Sequence, residues 1–131
     1  MFKIVKFDTD EDGFRTVLKD YQEVSLRYMW RLDGAGASSR DVWVNVNKDL
    51  MGKSTISRAS IINFMNLMVE EDALGYTEIT GKGGHRRIYT SDLDEAGFKR
   101  FMAHKIISKL LKTWPEATKE SIEATIKNKY S

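Results

Sequence analysis

Apolar residues recur at helical spacing after Ser57, and this is the clearest periodic pattern in the chain. The residues that share one face of the predicted helix are Ile61, Phe64, Met65 and Met68. Ser57 stands just before the first turn, where its hydroxyl can accept a hydrogen bond from a free backbone N–H group. The pattern therefore predicts a helix that begins after Ser57 and buries this apolar face.

Two more amphipathic helices are predicted before Ser57. The first begins at Asp20, because Asp20 and Glu23 have the spacing of a capping box. It stops at Gly34 and Gly36, since glycine is the usual residue just past a helix end. The second begins at the serine pair at 38–39. Its buried positions are Val42, Val46 and Leu50.

A β-hairpin is predicted after the third helix. Residues 76–80 and 87–90 are rich in strand formers, and the turn between them contains three glycines. The cationic and histidine side chains of this turn are Lys82, His85, Arg86 and Arg87. Cations grouped around glycines suit the binding of an anion, and arginine on a thin hairpin suits the narrow minor groove of DNA. The alternative is a hairpin whose basic residues serve only solubility.

The outer face of the third helix has an unusual composition for a solvated surface, because lysine and glutamate are missing from it. Its residues are Arg58, Ala59, Ile62, Asn63 and Asn66. Arginine and asparagine can hydrogen-bond base edges in the major groove, and small apolar groups can meet a thymine methyl. The residues that could hold a phosphate at the start of this helix are Lys53, Ser54 and Ser57. The alternative is an ordinary polar helix face.

A long apolar helix is predicted between Asp92 and Pro115, and a shorter one over residues 117–128. The apolar stripe of the long helix contains Phe98, Phe101, Met102, Ile106, Leu110 and Trp114. The three helices and the hairpin form a complete domain without the long helix. The apolar stripe of the long helix therefore needs another surface to cover it. Homodimerisation would cover it, whereas packing onto the body of the same chain is the alternative. The predicted divisions are a strand and turn segment (1–19), with the strand over residues 2–7, a DNA-binding domain (20–92) and a helical dimerisation region (93–131).

Composition narrows the classes of function without deciding among them. Of the 131 residues, 41% are hydrophobic, which is enough for a core, and the net charge is only +2. There is no cysteine, and His85 and His104 are far apart in sequence, so neither a metal site nor a cofactor is expected. No catalytic grouping of side chains is apparent, so an enzyme is not expected. No apolar run is long enough for a membrane span, and a cytoplasmic protein without membrane contacts is expected.

In their order along the chain, these elements resemble the winged helix-turn-helix regulators of the penicillinase repressor family. The resemblance rests on SSRDVWVNV before the turn, SRASIINFMNLMVEEDAL in the third helix and GKGGHRRIY in the hairpin. The same segments are similar to the multiple-antibiotic-resistance group of regulators. The resemblance implies a mainly α fold with a small β-hairpin wing and C-terminal dimerisation helices. Copper-responsive members carry C-terminal cysteines, which this chain lacks, so copper sensing is not implied.

Together the residues and the resemblance predict a dimeric, sequence-specific regulator of transcription that binds double-stranded DNA and acts as a repressor. The third helix would enter the major groove, and the wing would reach the minor groove. The predicted DNA-binding residues are Lys53, Ser54, Ser57, Arg58, Ala59, Ile62, Asn63, Asn66, Lys82, His85, Arg86 and Arg87. The alternative function is a winged-helix protein–protein interaction module that meets an acidic protein surface.

Overall fold

The computed structural model describes residues 6–81 and 84–130. Within these ranges the chain is mainly helical and carries a small three-stranded antiparallel sheet, so the predicted mainly α fold with a β-hairpin is confirmed. The helices are α1 (Asp20–Arg31), α2 (Ser39–Leu50), α3 (Arg58–Glu70), α4 (Glu95–Thr113) and α5 (Pro115–Tyr130). The strands are β1 (Ala37–Ser38), β2 (Gly75–Gly81) and β3 (Gly84–Thr90), and a short 3-10 turn (Gly13–Thr16) precedes α1. The strand predicted over residues 2–7 lies mostly outside the described residues.

The serine caps predicted for α2 and α3 are confirmed. Ser57 Oγ accepts a hydrogen bond from the backbone N–H of Ser60 at 3.1 Å. Ser38 Oγ accepts from the backbone N–H of Asp41 at 3.2 Å, and the Asp41 carboxylate accepts from the Ser38 N–H at 3.1 Å. Each cap satisfies a backbone donor that has no partner inside its helix, so both helix starts are fixed by local sequence.

The start of α1 was predicted at the right residue but for the wrong reason. Lys19 occupies the cap position, and its backbone N–H donates to Gln22 Oε1 at 2.8 Å. Asp20 instead forms an ion pair with Arg15. Glu23 also turns to Arg15, so the predicted capping box of Asp20 and Glu23 is absent.

One hydrophobic core joins α1, α2, α3 and the hairpin. The predicted buried faces of α2 and α3 are confirmed, since their residues are each at most 7% exposed: Val42, Val46, Leu50, Ile61, Phe64, Met65 and Met68. Phe14, Val17 and Leu18 enter the same core from the segment before α1. The core therefore continues across the division predicted between residues 19 and 20.

The first half of α4 also packs into this core. Phe98 is 1% exposed and Met102 is 8% exposed. The Phe98 ring lies 5.8 Å from the ring of Phe14 and 5.6 Å from that of Trp30, measured between centroids. Phe98 and Met102 were predicted for a dimer interface, and this assignment needs correction because their own chain already buries them.

The second half of α4 presents a different apolar face. Ile107, Leu110, Leu111 and Trp114 are spaced i, i+3, i+4 and i+7, and they are 38–61% exposed. At about 100° per residue, Ile107, Leu110 and Leu111 lie roughly opposite the side that Phe98 buries, and Trp114 follows directly after the last residue of the helix. The single apolar stripe predicted from the sequence is therefore divided between two faces of α4.

Pro115 was predicted to stop the long helix. It is also the first residue of α5, a position that suits its fixed φ.

The sheet places the hairpin beside the start of α2. Its strand order is β1-β3-β2, and β1 pairs Ala37 with Tyr89 and Ser38 with Ile88. β1 was not predicted, because two residues are too short to show strand alternation. Gly36 stands immediately before β1, and a Cβ atom there would overlap the Ile88 side chain. This glycine allows the close approach of β1 to β3, whereas the end of α1 takes its positive φ at Asp33 and Gly34.

Candidate nucleic-acid interface

The turn between α2 and α3 is held by two side chains of α2. Trp43 Nε1 and Asn47 Nδ2 both donate to the backbone oxygen of Ile56, at 2.9 Å and 3.2 Å. The Ile56 N–H in turn donates to Asn47 Oδ1 at 2.9 Å. Both polar backbone groups of Ile56 are therefore fixed from α2, and this sets where α3 begins. Sequence reasoning missed the role of Asn47, although an amide beside the buried Val46 was a usable signal.

Asn47→Ala should lower the free energy of unfolding by about 2 kcal/mol, since it removes two hydrogen bonds to Ile56. Denaturant unfolding followed by circular dichroism measures the change. Asn45→Ala is the matched control, because Asn45 Nδ2 reaches only the Asp41 backbone oxygen of its own helix. That variant should be within about 0.5 kcal/mol of the unmodified chain. Equal losses in the two variants would show that the turn is not held by Asn47.

The outer face of α3 is open to solvent at its N-terminal half. Ser57, Arg58, Ala59 and Asn63 are exposed, as are Lys53 and Ser54 in the preceding turn. Ile62 and Asn66 are half-buried. The predicted surface therefore splits into exposed positions and positions that face the hairpin.

A groove of about 360 Å³ separates α3 from the hairpin. Among the predicted residues it brings together Arg58, Ile62, Asn66, His85, Arg86 and Arg87. The remaining lining residues are Ser39, Glu78 and Tyr89, none of which was predicted. Lys53, Ser54, Ser57, Ala59 and Asn63 do not line it, and Lys82 lies outside the described residues. Ser39 is the first residue of α2, so two helix N-termini meet near one cationic groove.

The arginines of this groove have no carboxylate partner in the described part of the chain. The ion pairs found there involve Arg15, Arg27 and Arg31, all outside the groove. Glu78 is the one acidic residue among those that line the groove. The groove thus carries net positive charge that an external anion can meet.

The acidic end of α3 points elsewhere. Glu70 and Asp72 line a separate cleft with Lys109 and Lys112 of α4. The carboxylates therefore face the basic side of α4 rather than the groove. The N-terminal half of α3 carries no acidic side chain and lies at the positive end of the helix dipole, so it is the half that suits an anionic ligand.

Asn66 and Arg87 contact each other across the groove. Asn66 Oδ1 accepts hydrogen bonds from Arg87 Nη1 at 3.1 Å and from the Tyr89 hydroxyl at 2.7 Å. The Arg87 guanidinium carbon lies 4.0 Å from the centroid of the Tyr76 ring. Burial raises the pKa of Tyr89 above its ordinary value, and the charge of Arg87 offsets part of this effect. The Tyr89 hydroxyl is therefore protonated at neutral pH and can donate to Asn66.

No family model matches the chain, and no curated protein matches it. No helix in residues 6–81 and 84–130 combines the length and apolar character needed to cross a membrane. Over the same ranges no group of three or more histidine, aspartate or glutamate side chains is placed to hold a metal ion.

Proposed function

We propose that the chain is a winged helix-turn-helix protein that binds double-stranded DNA as a dimer and regulates transcription. The observation that carries the proposal is the groove between α3 and the hairpin, where Arg58, Arg86 and Arg87 have no carboxylate partner among the described residues. The element order supports it, since α2, a fixed turn, α3 and a hairpin follow one another as in that fold.

α3 is the element that would enter the major groove. Its 13 residues span about 20 Å, and a major groove about 12 Å wide admits one helix. Asn63 is exposed on its outer face and can reach base edges, and Ala59 leaves room for a thymine methyl. Arg58 is exposed in its first turn and can reach a phosphate. Lys53 in the preceding turn would lie against a phosphate.

The hairpin would follow the DNA backbone towards the minor groove. Arg86 is exposed near its tip, two residues from the glycine that opens β3. An arginine at such a tip meets the enhanced negative potential of a narrow minor groove. Since the body of the chain carries little net charge, affinity would depend on this local set of cations.

A second copy of the chain would cover the exposed apolar face of α4. That face consists of Ile107, Leu110, Leu111 and Trp114. A two-fold interface places the same patch on both partners, so an apolar face is complementary to itself. A dimer would present two α3 helices to successive major grooves, and its occupation of the duplex would exclude other proteins from it, which is repression.

The proposal predicts salt-dependent binding to duplex DNA. Lys53, Arg58 and Arg86 give roughly six neutralised phosphates per dimer, so the logarithm of affinity should fall with log salt at a slope near −5. Fluorescence anisotropy with a mixed-sequence duplex of about 30 base pairs, long enough for two half-sites, measures it. No binding at low salt would overturn the proposal, and binding to an acidic protein surface instead would favour the interaction-module alternative.

A further inference from the structure

We propose that Asn66, Tyr76, Arg87 and Tyr89 form a brace that fixes the hairpin against α3, with Arg87 as a positioning residue rather than a phosphate contact. The brace links three elements, because Asn66 belongs to α3, Tyr76 to β2, and Arg87 and Tyr89 to β3. It deepens the proposed function and rests on it for its effect on DNA. Its effect on the hairpin can be measured without DNA.

Both acceptor positions of the Asn66 side-chain oxygen are occupied. Oδ1 accepts from Arg87 Nη1 at 3.1 Å and from the Tyr89 hydroxyl at 2.7 Å. A carbonyl oxygen has two lone pairs, so it cannot also accept the amino group of an adenine. Bidentate reading of adenine needs that acceptor, and Asn66 therefore cannot perform it while the brace is closed. Adenine recognition by an asparagine of α3 would fall to the exposed Asn63.

Arg87 is held on two sides. One guanidinium nitrogen donates to Asn66, and the guanidinium carbon lies 4.0 Å from the centroid of the Tyr76 ring. Tyr76 and Tyr89 are direct partners across the two strands. The contact of Arg87 with the Tyr76 ring therefore joins β3 to β2. All of these partners are uncharged, and Arg87 keeps its positive charge while its side chain is immobilised.

Arg86 differs from Arg87 in its exposure and in its contacts. Arg86 is exposed, whereas Arg87 is half-buried, and Arg86 makes no ring contact or hydrogen bond with another described residue. The geometry therefore assigns phosphate binding to Arg86 and orientation of the hairpin to Arg87.

The brace matters because a two-stranded hairpin has little stability of its own. The outer residues of β2 are exposed on both sides, so they do not hold the hairpin to the core. Contacts between α3 and β3 then set the angle at which the tip stands. If the angle is fixed before DNA arrives, binding does not have to order the hairpin.

Spin labels on the hairpin and on α2 test the brace directly. The chain has no cysteine, so Gly81→Cys and Val44→Cys give two unique sites, and a Cβ atom at Gly81 would meet nothing within 4 Å. Tyr89→Phe and Asn66→Ala should broaden the distance distribution between the labels. Tyr76→Phe is the matched control, because it removes a hydroxyl with no described partner and keeps the ring. An unchanged distribution in Asn66→Ala would overturn the brace.

Salt-dependent DNA binding then separates positioning from phosphate contact. Arg86→Ala should shallow the slope by about 2 in a dimer, since one phosphate contact is lost from each copy. Arg87→Ala and Tyr89→Phe should lower affinity roughly fivefold with the slope unchanged, which is the loss expected for one hydrogen bond. A slope in Arg87→Ala as shallow as that of Arg86→Ala would show that Arg87 binds phosphate. If the unmodified chain binds no duplex, the proposed function fails, while the label distances still decide the brace.

Discussion

Replacing Arg58 and Arg86 together by alanine should lower the affinity for duplex DNA about a thousandfold at roughly 0.1 M salt. These two arginines stand on opposite sides of the groove between α3 and the hairpin. Each lost phosphate contact removes about 0.9 from the salt slope, so four lost contacts in a dimer should change the slope from near −5 to near −2. Anisotropy titrations at several salt concentrations give both quantities.

The control for this prediction removes two arginines from another surface. Arg31, which is ion-paired with Asp49, and Arg100 on α4 both lie away from the groove. Arg31→Ala with Arg100→Ala changes the net charge by the same amount as the first double substitution. It should leave the slope within about one of its original value, since bulk charge acts weakly at this ionic strength. Equal losses in the two double variants would mean that binding follows net charge and not the groove.

Leu110→Asp with Trp114→Asp should convert the proposed dimer into a monomer. The two side chains are 40% and 61% exposed in one copy, so the substitution leaves the core of that copy intact. In a dimer it would bury several unpaired carboxylates, and each costs several kcal/mol. We expect dimer dissociation to become at least a thousandfold more favourable, with the melting temperature of each copy little changed. Sedimentation velocity over a range of concentrations measures the change.

A matched control adds the same charge to apolar positions elsewhere. Val44 and Met51 are 47% and 81% exposed and lie on or just after α2. Val44→Asp with Met51→Asp should leave the oligomeric state as it was. A dimer that survives Leu110→Asp with Trp114→Asp would place the interface on another surface, and a chain that is monomeric before substitution would rule out this part of the proposal.

The helices that position the candidate site could be predicted because their signals are local. Ser38 and Ser57 satisfy donors within three residues of themselves, and the buried positions of α3 repeat at helical spacing. Such patterns need no knowledge of the rest of the fold. The outer face of α3 and the basic turn of the hairpin could therefore be predicted as candidate surfaces from sequence.

The arrangement of the site could not be predicted, because it depends on pairs that are distant in sequence. Asn66 and Arg87 are separated by 21 positions, and the sequence predicted each as a separate DNA contact. In the fold the hairpin lies beside α3, so the two side chains hydrogen-bond to each other. The same limit applies to α4. The sequence predicted an apolar helix there, but it did not show which apolar residues face the core. The contacts of Phe98 with Phe14 and Trp30 show that Phe98 faces inward.

If the chain binds DNA as the proposed dimer, the two opposed apolar faces of α4 set the distance between the DNA-binding surface and the dimer interface. One face is anchored in the core through Phe98 and Met102, and the other begins at Ile107 on the same continuous helix. Each residue added between them would turn the pairing face by about 100° and shift it by about 1.5 Å. The spacing and phase of the two half-sites could thus change through the length of α4 alone. The residues that recognise each half-site would stay the same, so the spacing of the half-sites and their sequence would be separate variables in the proposed dimer.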